Sequence, residues 1–257
     1  MTEKSATPSG DGAGTDTVGP AWYAASPGGW RDWIGVLHLP YTAWNLSYVL
    51  VGAGLASQLS VTRLVATLIA FGLAVGVAAH CLDELRGRPL GTSIPAPHLA
   101  AASAASLLGA TAIGAIGITR VGWGLLGFVA VGVAIVVAYN LELWSGRLHN
   151  DATFSLAWGA FPVLTAYYAQ VSTLRPAVAV AALYAYGLSR AQRLLSVEAR
   201  DVRRRVRSIE GEKRYLDGRV VPLSRQSMLR PVEQGLVALS WSTCALGVAL
   251  VLAKTGH

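Results

Sequence analysis

The chain has 257 residues, of which 53% are hydrophobic and 14% charged, with a formal net charge of +7 and a mean hydropathy of +0.46. Soluble domains carry about 25% charged residues, so this composition excludes an ordinary water-soluble globule, and two cysteines, Cys81 and Cys244, supply neither a disulfide framework nor a zinc spacing. The basic residues cluster between long apolar runs, which argues against a nucleic-acid partner and for a bilayer as solvent.

Met1 to Pro27 is rich in Gly, Ser, Thr and Pro and lacks the basic start and apolar core of a signal peptide. Residues 1–30 are therefore expected to be a disordered tail, and residues 31–257 a transmembrane helix-bundle domain with a basic cytoplasmic loop at about 193–230. A crossing helix needs about 20 apolar residues. Seven segments qualify, at approximately 37–58, 64–80, 99–118, 121–140, 153–172, 174–192 and 232–253, giving an all-α, polytopic bundle of about seven spans. Pro40 falls near the start of the first, where proline is tolerated. The third and fourth are separated by little more than Thr119 and Arg120, a tight helical hairpin. Pro162 should kink the fifth and free a backbone carbonyl. Tyr184, Tyr186 and Ser189 dilute the sixth.

Orientation follows from lysine and arginine. With the N-terminus in the cytoplasm, seventeen of the 21 basic residues fall inside, twelve of them between Arg190 and Arg230; only Arg63, Arg120, Arg175 and Lys254 fall outside. The positive-inside rule then predicts a multi-pass cell-membrane protein with its C-terminus outside. All fourteen acidic residues also lie in the tail or at inner connections, an asymmetry the topology rule does not require.

Three inner connections carry the chemistry. His80-Cys-Leu-Asp83-Glu84-Leu-Arg86-Gly-Arg88 ends the second span, with His80 and Asp83 three apart on one helical face. Ionisable groups at a membrane boundary are costly unless they bind something; the plainer reading pairs Asp83 and Glu84 with Arg86 and Arg88. Between the fourth and fifth spans lie Tyr139, Asn140, Glu142, Trp144, Arg147, His149, Asn150 and Asp151. There Trp144 and Tyr139 read as interfacial anchors, and Asn150 or Asp151 as an N-cap. The connection after the sixth span opens with Arg193, Ser196, Glu198, Arg200 and Asp201, with Ser196 read as the cap of a new helix. Alternate connections of a bundle meet at one mouth, so carboxylates able to carry Mg²⁺ would stand beside arginines able to hold phosphate.

At these residues the chain resembles the UbiA superfamily of intramembrane prenyltransferases. His80 to Thr92 looks like that family's first Asp-rich motif, including its closing Arg-Pro pair, here Arg88-Pro89. Tyr139 through Trp158-Gly-Ala-Phe-Pro162 to Tyr168 is similar to its Tyr-led loop and following helix, and Pro40-Tyr-Thr-Ala-Trp-Asn45 to its opening helix. The resemblance covers roughly residues 37 to 215 and implies a UbiA-like bundle, here with fewer helices than usual. It implies Mg²⁺ joining a prenyl diphosphate to two Asp-rich loops, then transfer of an allylic cation to an acceptor, or cyclisation. Asp83 and Glu84 would hold the metal, with Glu198 and Asp201 at the second motif, although these two are three apart rather than four. Asn45, Arg88, Tyr139, Asn140, Arg147, Arg193 and Arg200 would bind substrate, and His80, Asp83, Glu84 and His149 would serve the chemistry.

Two other readings start from the same residues. His80, Asp83, Glu142, His149 and Asp151 could form the metal centre of an intramembrane hydrolase. A bundle that kept the fold and lost catalysis would be a lipid-binding subunit. The expected partners are an isoprenoid or other lipid-tailed substrate, the bilayer, and a second copy or partner subunit that closes a bundle short of helices.

Overall fold

A computed structural model describes residues 28–255; the expected tail over residues 1–27 lies outside them. Among the described residues the chain runs through eight helices: α1 Trp30–Leu37, α2 Leu39–Gly54, α3 Val61–Leu85, α4 Ala96–Val121, α5 Gly124–Asn140, α6 over residues 151–171, α7 Pro176–Arg204 and α8 Arg225–Thr255. A two-stranded antiparallel hairpin, β1 Glu212–Arg214 with β2 Val220–Pro222, precedes α8. Each of the seven predicted segments is helical. By length and composition α3, α4 and α8 can each cross a membrane, and α5 is apolar but shorter.

The helix ends follow local chemistry. Pro40 stands in the first turn of α2 after His38, whose φ of 42° turns the chain out of α1. Ser60 caps α3, and of the two cap candidates Asn150 and Asp151 it is the Asn150 side chain that caps α6, accepting the Thr153 amide at 2.9 Å. The break between α4 and α5 falls at Gly122 and Trp123 rather than at Thr119 and Arg120, because Gly122 adopts φ 118°, which L-residues avoid. Nothing interrupts α7 at Ser196. The run from Ala191 to Arg204 holds no glycine or proline, so the helix continues and the expected cap is an interior residue. The basic connection accordingly begins after Arg204.

Two segments are wound as π-helix, Gly72–Ala79 in α3 and Leu156–Ala160 in α6. The second ends just before Pro162, whose ring would clash with the carbonyl four residues back; the wider turn makes room, so the expected kink is realised as a π segment. Both segments also line the polar cavity described below.

Helix α2 sits at the centre, against α6, α7 and α8. Glycines let the backbones close: Gly52 meets the Val163 carbonyl of α6, and a Cβ at Gly247 of α8 would stand 2.8 Å from the Ser47 carbonyl. Tyr48 is fully buried, receiving the Trp44 indole N–H at 2.7 Å and the Ser189 hydroxyl of α7 at 3.3 Å. At the opposite end of the bundle from the predicted site, Arg63 donates to the carbonyls of Gln170 (2.8 Å) and Arg120 (3.0 Å), fastening α3 to the ends of α6 and α4.

Candidate functional site

The start of α2, the ends of α3 and α5, the start of α6, the last turns of α7 and the start of α8 surround a polar cavity of about 380 Å³. From the sequence-predicted set it gathers Asn45, His80, Asp83, Glu84, Tyr139, Asn140, His149, Arg193 and Arg200, drawn from four helices and the α5–α6 connection. Arg88, Arg147, Glu198 and Asp201 are not among its lining residues.

Helical phase explains the α7 side. Gln192, Ser196, Ala199, Arg200 and Arg203 recur at three- and four-residue spacing and face the cavity, with Arg193 and Arg204 beside them. Glu198 and Asp201 lie about 180° around the helix. Glu198 is exposed, and Asp201 pairs with Arg205 at 3.3 Å. Read in phase from Tyr186 onward, the sequence would have favoured Gln192, Arg203 and Arg204 over the two acids.

The α3–α4 connection is organised by Glu84. Its carboxylate is completely buried and accepts the Leu90 amide (3.0 Å), the Thr92 amide (2.8 Å) and the Thr92 hydroxyl (2.8 Å). Both oxygens therefore brace the loop that shapes the cavity rim. Arg88, at φ 52°, donates to the carbonyls of Thr92 and Ile94. Neither arginine of this loop pairs with Asp83 or Glu84, as the plainer reading expected; Arg86 instead reaches Glu142 at 3.3 Å. Glu84→Ala leaves three donors unmet, each costing about 1–3 kcal/mol. A loss of at least about 3 kcal/mol is expected, read as a lower unfolding temperature in detergent and faster proteolysis after Arg86 or Arg88. An unchanged unfolding temperature would show that the brace is dispensable.

Asp83 lines the cavity within electrostatic reach of His149, Arg193 and Arg200. His149 stacks on Tyr139 (ring centroids 4.5 Å) with Nδ1 3.1 Å from the Tyr139 carbonyl, and Tyr139 meets Trp158 edge-on. Tyr139 is thus buried in the wall rather than an interfacial anchor, while Trp144 is exposed. His80 lies beside His38, centroids 5.2 Å apart, with Nδ1 3.1 Å from the Gly76 carbonyl. An Nδ1 facing a carbonyl must donate, so Nε2 is the nitrogen of each ring left for other partners. Arg193 donates to Asp151 at 3.1 Å, and Arg190 takes the other Asp151 oxygen at 2.9 Å. The Arg193 hydrogen bond chiefly holds the Asp151 carboxyl below the usual carboxylate range. Arg203 is held by Glu233 of α8 at 2.8 Å, and Arg204 reaches the Pro89 carbonyl at 2.8 Å, tying α7 to the α3–α4 loop. In the same region Asp32 of α1 accepts the Ser93 hydroxyl at 2.6 Å and the Gly28 and Ser93 amides, which keep its carboxyl below the usual range.

Three buried polar atoms of the wall have no hydrogen-bond partner among the described residues: Asn45 Oδ1, Gln192 Oε1 and the Tyr139 hydroxyl. Asn45 and Gln192 stand at one level between α2 and α7, flanked by the Tyr41–Ser196 and Tyr48–Ser189 contacts. Buried polar atoms are nearly always partnered, so these three are open to hydrogen bonds from a water or a polar ligand in the cavity. Among the described residues no group of three or more His, Cys, Asp or Glu side chains is gathered to hold a metal ion. The five residues of the hydrolase reading form no such group either.

A second, apolar cavity of about 870 Å³, open on one side, is lined by α3, α4, α5 and α6. Val75 and Trp158, one from each π segment, line both cavities, so these two buried side chains belong to the wall that the polar cavity and the apolar one share. The chamber reaches Arg63 and Arg120 at the far end of the bundle.

No family model, no curated protein and no solved structure matches this chain.

Proposed function

We propose that the chain is a divergent UbiA-type intramembrane enzyme that acts on a prenyl diphosphate, by transfer of the prenyl group to an acceptor or by cyclisation. In this reading all seven apolar segments cross the membrane and the polar cavity opens on the cytoplasmic side, with the basic 205–224 connection there and the C-terminus outside. The observation that carries it is an arginine-rich cavity and an apolar cavity of about 870 Å³ standing side by side, with Val75 and Trp158 in the wall of both. Ligand sites commonly measure about 300–1,000 Å³. A charged head with a long apolar tail matches both halves.

The arginines would neutralise the diphosphate as the allylic C–O bond breaks and its electron pair leaves with the phosphate oxygen. The cation would form beside the faces of Trp158 and Tyr139. An acceptor, or a double bond of the same tail, would close the new carbon bond, and the proton it loses would go to Asp83. Asn45 Oδ1 and Gln192 Oε1, as acceptors, would receive hydrogens of a hydroxyl-bearing acceptor.

The test is consumption of geranylgeranyl diphosphate by protein in liposomes, followed as pyrophosphate release and as an organic-soluble product. Neither binding nor consumption of any prenyl diphosphate would remove the reading. Filling the chamber with Val133→Trp, on a residue that lines it, should raise KM for the twenty-carbon substrate at least about tenfold while sparing a ten-carbon one. Equal effects on both would place the tail elsewhere.

A further inference from the structure

The cavity wall is asymmetric in a way that bears on how the phosphate end is held. On the α3 side stands one carboxylate, Asp83, directed to the cavity and not braced by neighbouring amides, since Glu84 is enclosed by Leu90 and Thr92 and Glu142 is paired with Arg86. The α7 side, where a second carboxylate pair would be needed, presents Arg193, Arg200, Arg203 and Arg204. Glu198 and Asp201 lie around the back of that helix. Two Mg²⁺ ions bridging a diphosphate need oxygen ligands from both sides, and this donor set does not fit them. A guanidinium fork meets phosphate oxygens directly through paired hydrogen bonds and carries the charge a cation would otherwise supply. Arg193 and Arg203 are already oriented by Asp151 and Glu233, and Arg204 by the Pro89 carbonyl, so this side is organised before a ligand arrives.

We propose that the phosphate end of the ligand is held by the arginine face of α7, Arg200 and Arg204 foremost, without a divalent cation. The inference rests on the reading above that the ligand is an isoprenoid-tailed phosphate ester, and it departs from what the family resemblance implies about Mg²⁺. It also assigns Asp83 to proton handling rather than to metal binding.

The experiment is equilibrium binding of geranylgeranyl diphosphate to detergent-purified protein in EDTA and in Mg²⁺, with geranylgeraniol as the phosphate-free control. Gel filtration and helical circular dichroism accompany every variant. The expected result is a Kd in EDTA within about threefold of that in Mg²⁺, weak binding of the alcohol, and a loss of at least tenfold in the Arg200→Gln/Arg204→Gln variant. Arg200→Lys/Arg204→Lys should recover part of that loss, because charge returns without the planar fork. Binding that appears only with Mg²⁺ would overturn the inference while leaving the prenyl-diphosphate reading in place. Equal binding of alcohol and diphosphate, or full affinity in the Gln variant, would overturn it by showing that the arginines do not read phosphate. Binding of neither ligand under either condition would remove the parent reading and this inference with it.

Discussion

Asp83→Asn is expected to bind prenyl diphosphate nearly as well as the parent protein and to turn it over at least about 100-fold more slowly. The substitution keeps size and hydrogen-bonding shape at a position lining the cavity near Arg193, Arg200 and His149, and removes only the ability to take a proton. General acid–base groups contribute about 100- to 10,000-fold, which sets the expected scale. The measurement is single-turnover product formation beside the Kd of the same preparation. If affinity and turnover fell together, Asp83 would be a ligand-binding group, as in a metal bridge. If neither fell, the proton would leave by another route, and His80 or His149 through Nε2 would be next to test.

The second large effect concerns how α2 meets α6. Gly52→Ala is expected to lower stability by about 3 kcal/mol or more, because its new Cβ would overlap the Val163 backbone carbonyl. A backbone atom cannot swing aside as a side chain can, so the helices must separate and the packing around Tyr48 and Val163 opens. Gly127→Ala on the exposed face of α5 is the control, since nothing lies within 4 Å of its added Cβ. There the gain in helix propensity should stabilise by about 0.5–1 kcal/mol. Unfolding temperatures of both variants in one detergent decide the matter. Similar values for the two would mean that the α2–α6 contact yields at little cost.

Several site residues were legible because their signal was local. Asp83, His80, Tyr139, Asn140 and His149 are polar residues at the ends of apolar runs, where burial is expensive without a purpose, and all five line the cavity. Asn45 was found the same way, and its orphaned carboxamide oxygen is the physical counterpart of that argument. Glu84 carried the same local signal as Asp83 and also borders the cavity, yet its carboxylate is taken up by the loop groups of Leu90 and Thr92. Arg203 and Arg204 read as part of a basic loop after a helix start at Ser196, and only the unbroken α7 turns them to the cavity; Gln192 and, from α8, Glu233 reach it through the packing of those helices on α2. His38 and Tyr41 belong to the wall only because α2 lies between α3 and α7.

Hydrophobic run length and glycine, proline and cap chemistry are short-range properties, so the sequence by itself determined the seven helical segments, a cap at Asn150 or Asp151 and an irregularity near Pro162. The same is true of the concentration of charge at one set of connections. Which residues of those connections face one another depends on helix rotation and on backbone approach at Gly52, Gly159 and Gly247, which are set by packing between segments distant in the chain. Only the tertiary structure therefore separated Asp83 from Glu84 and turned Glu198 and Asp201 away. It also set the polar cavity beside the apolar one, with Val75 and Trp158 in the wall of both. Composition fixes what each helix must bury, and the contacts between helices decide what each one shows to the cavity.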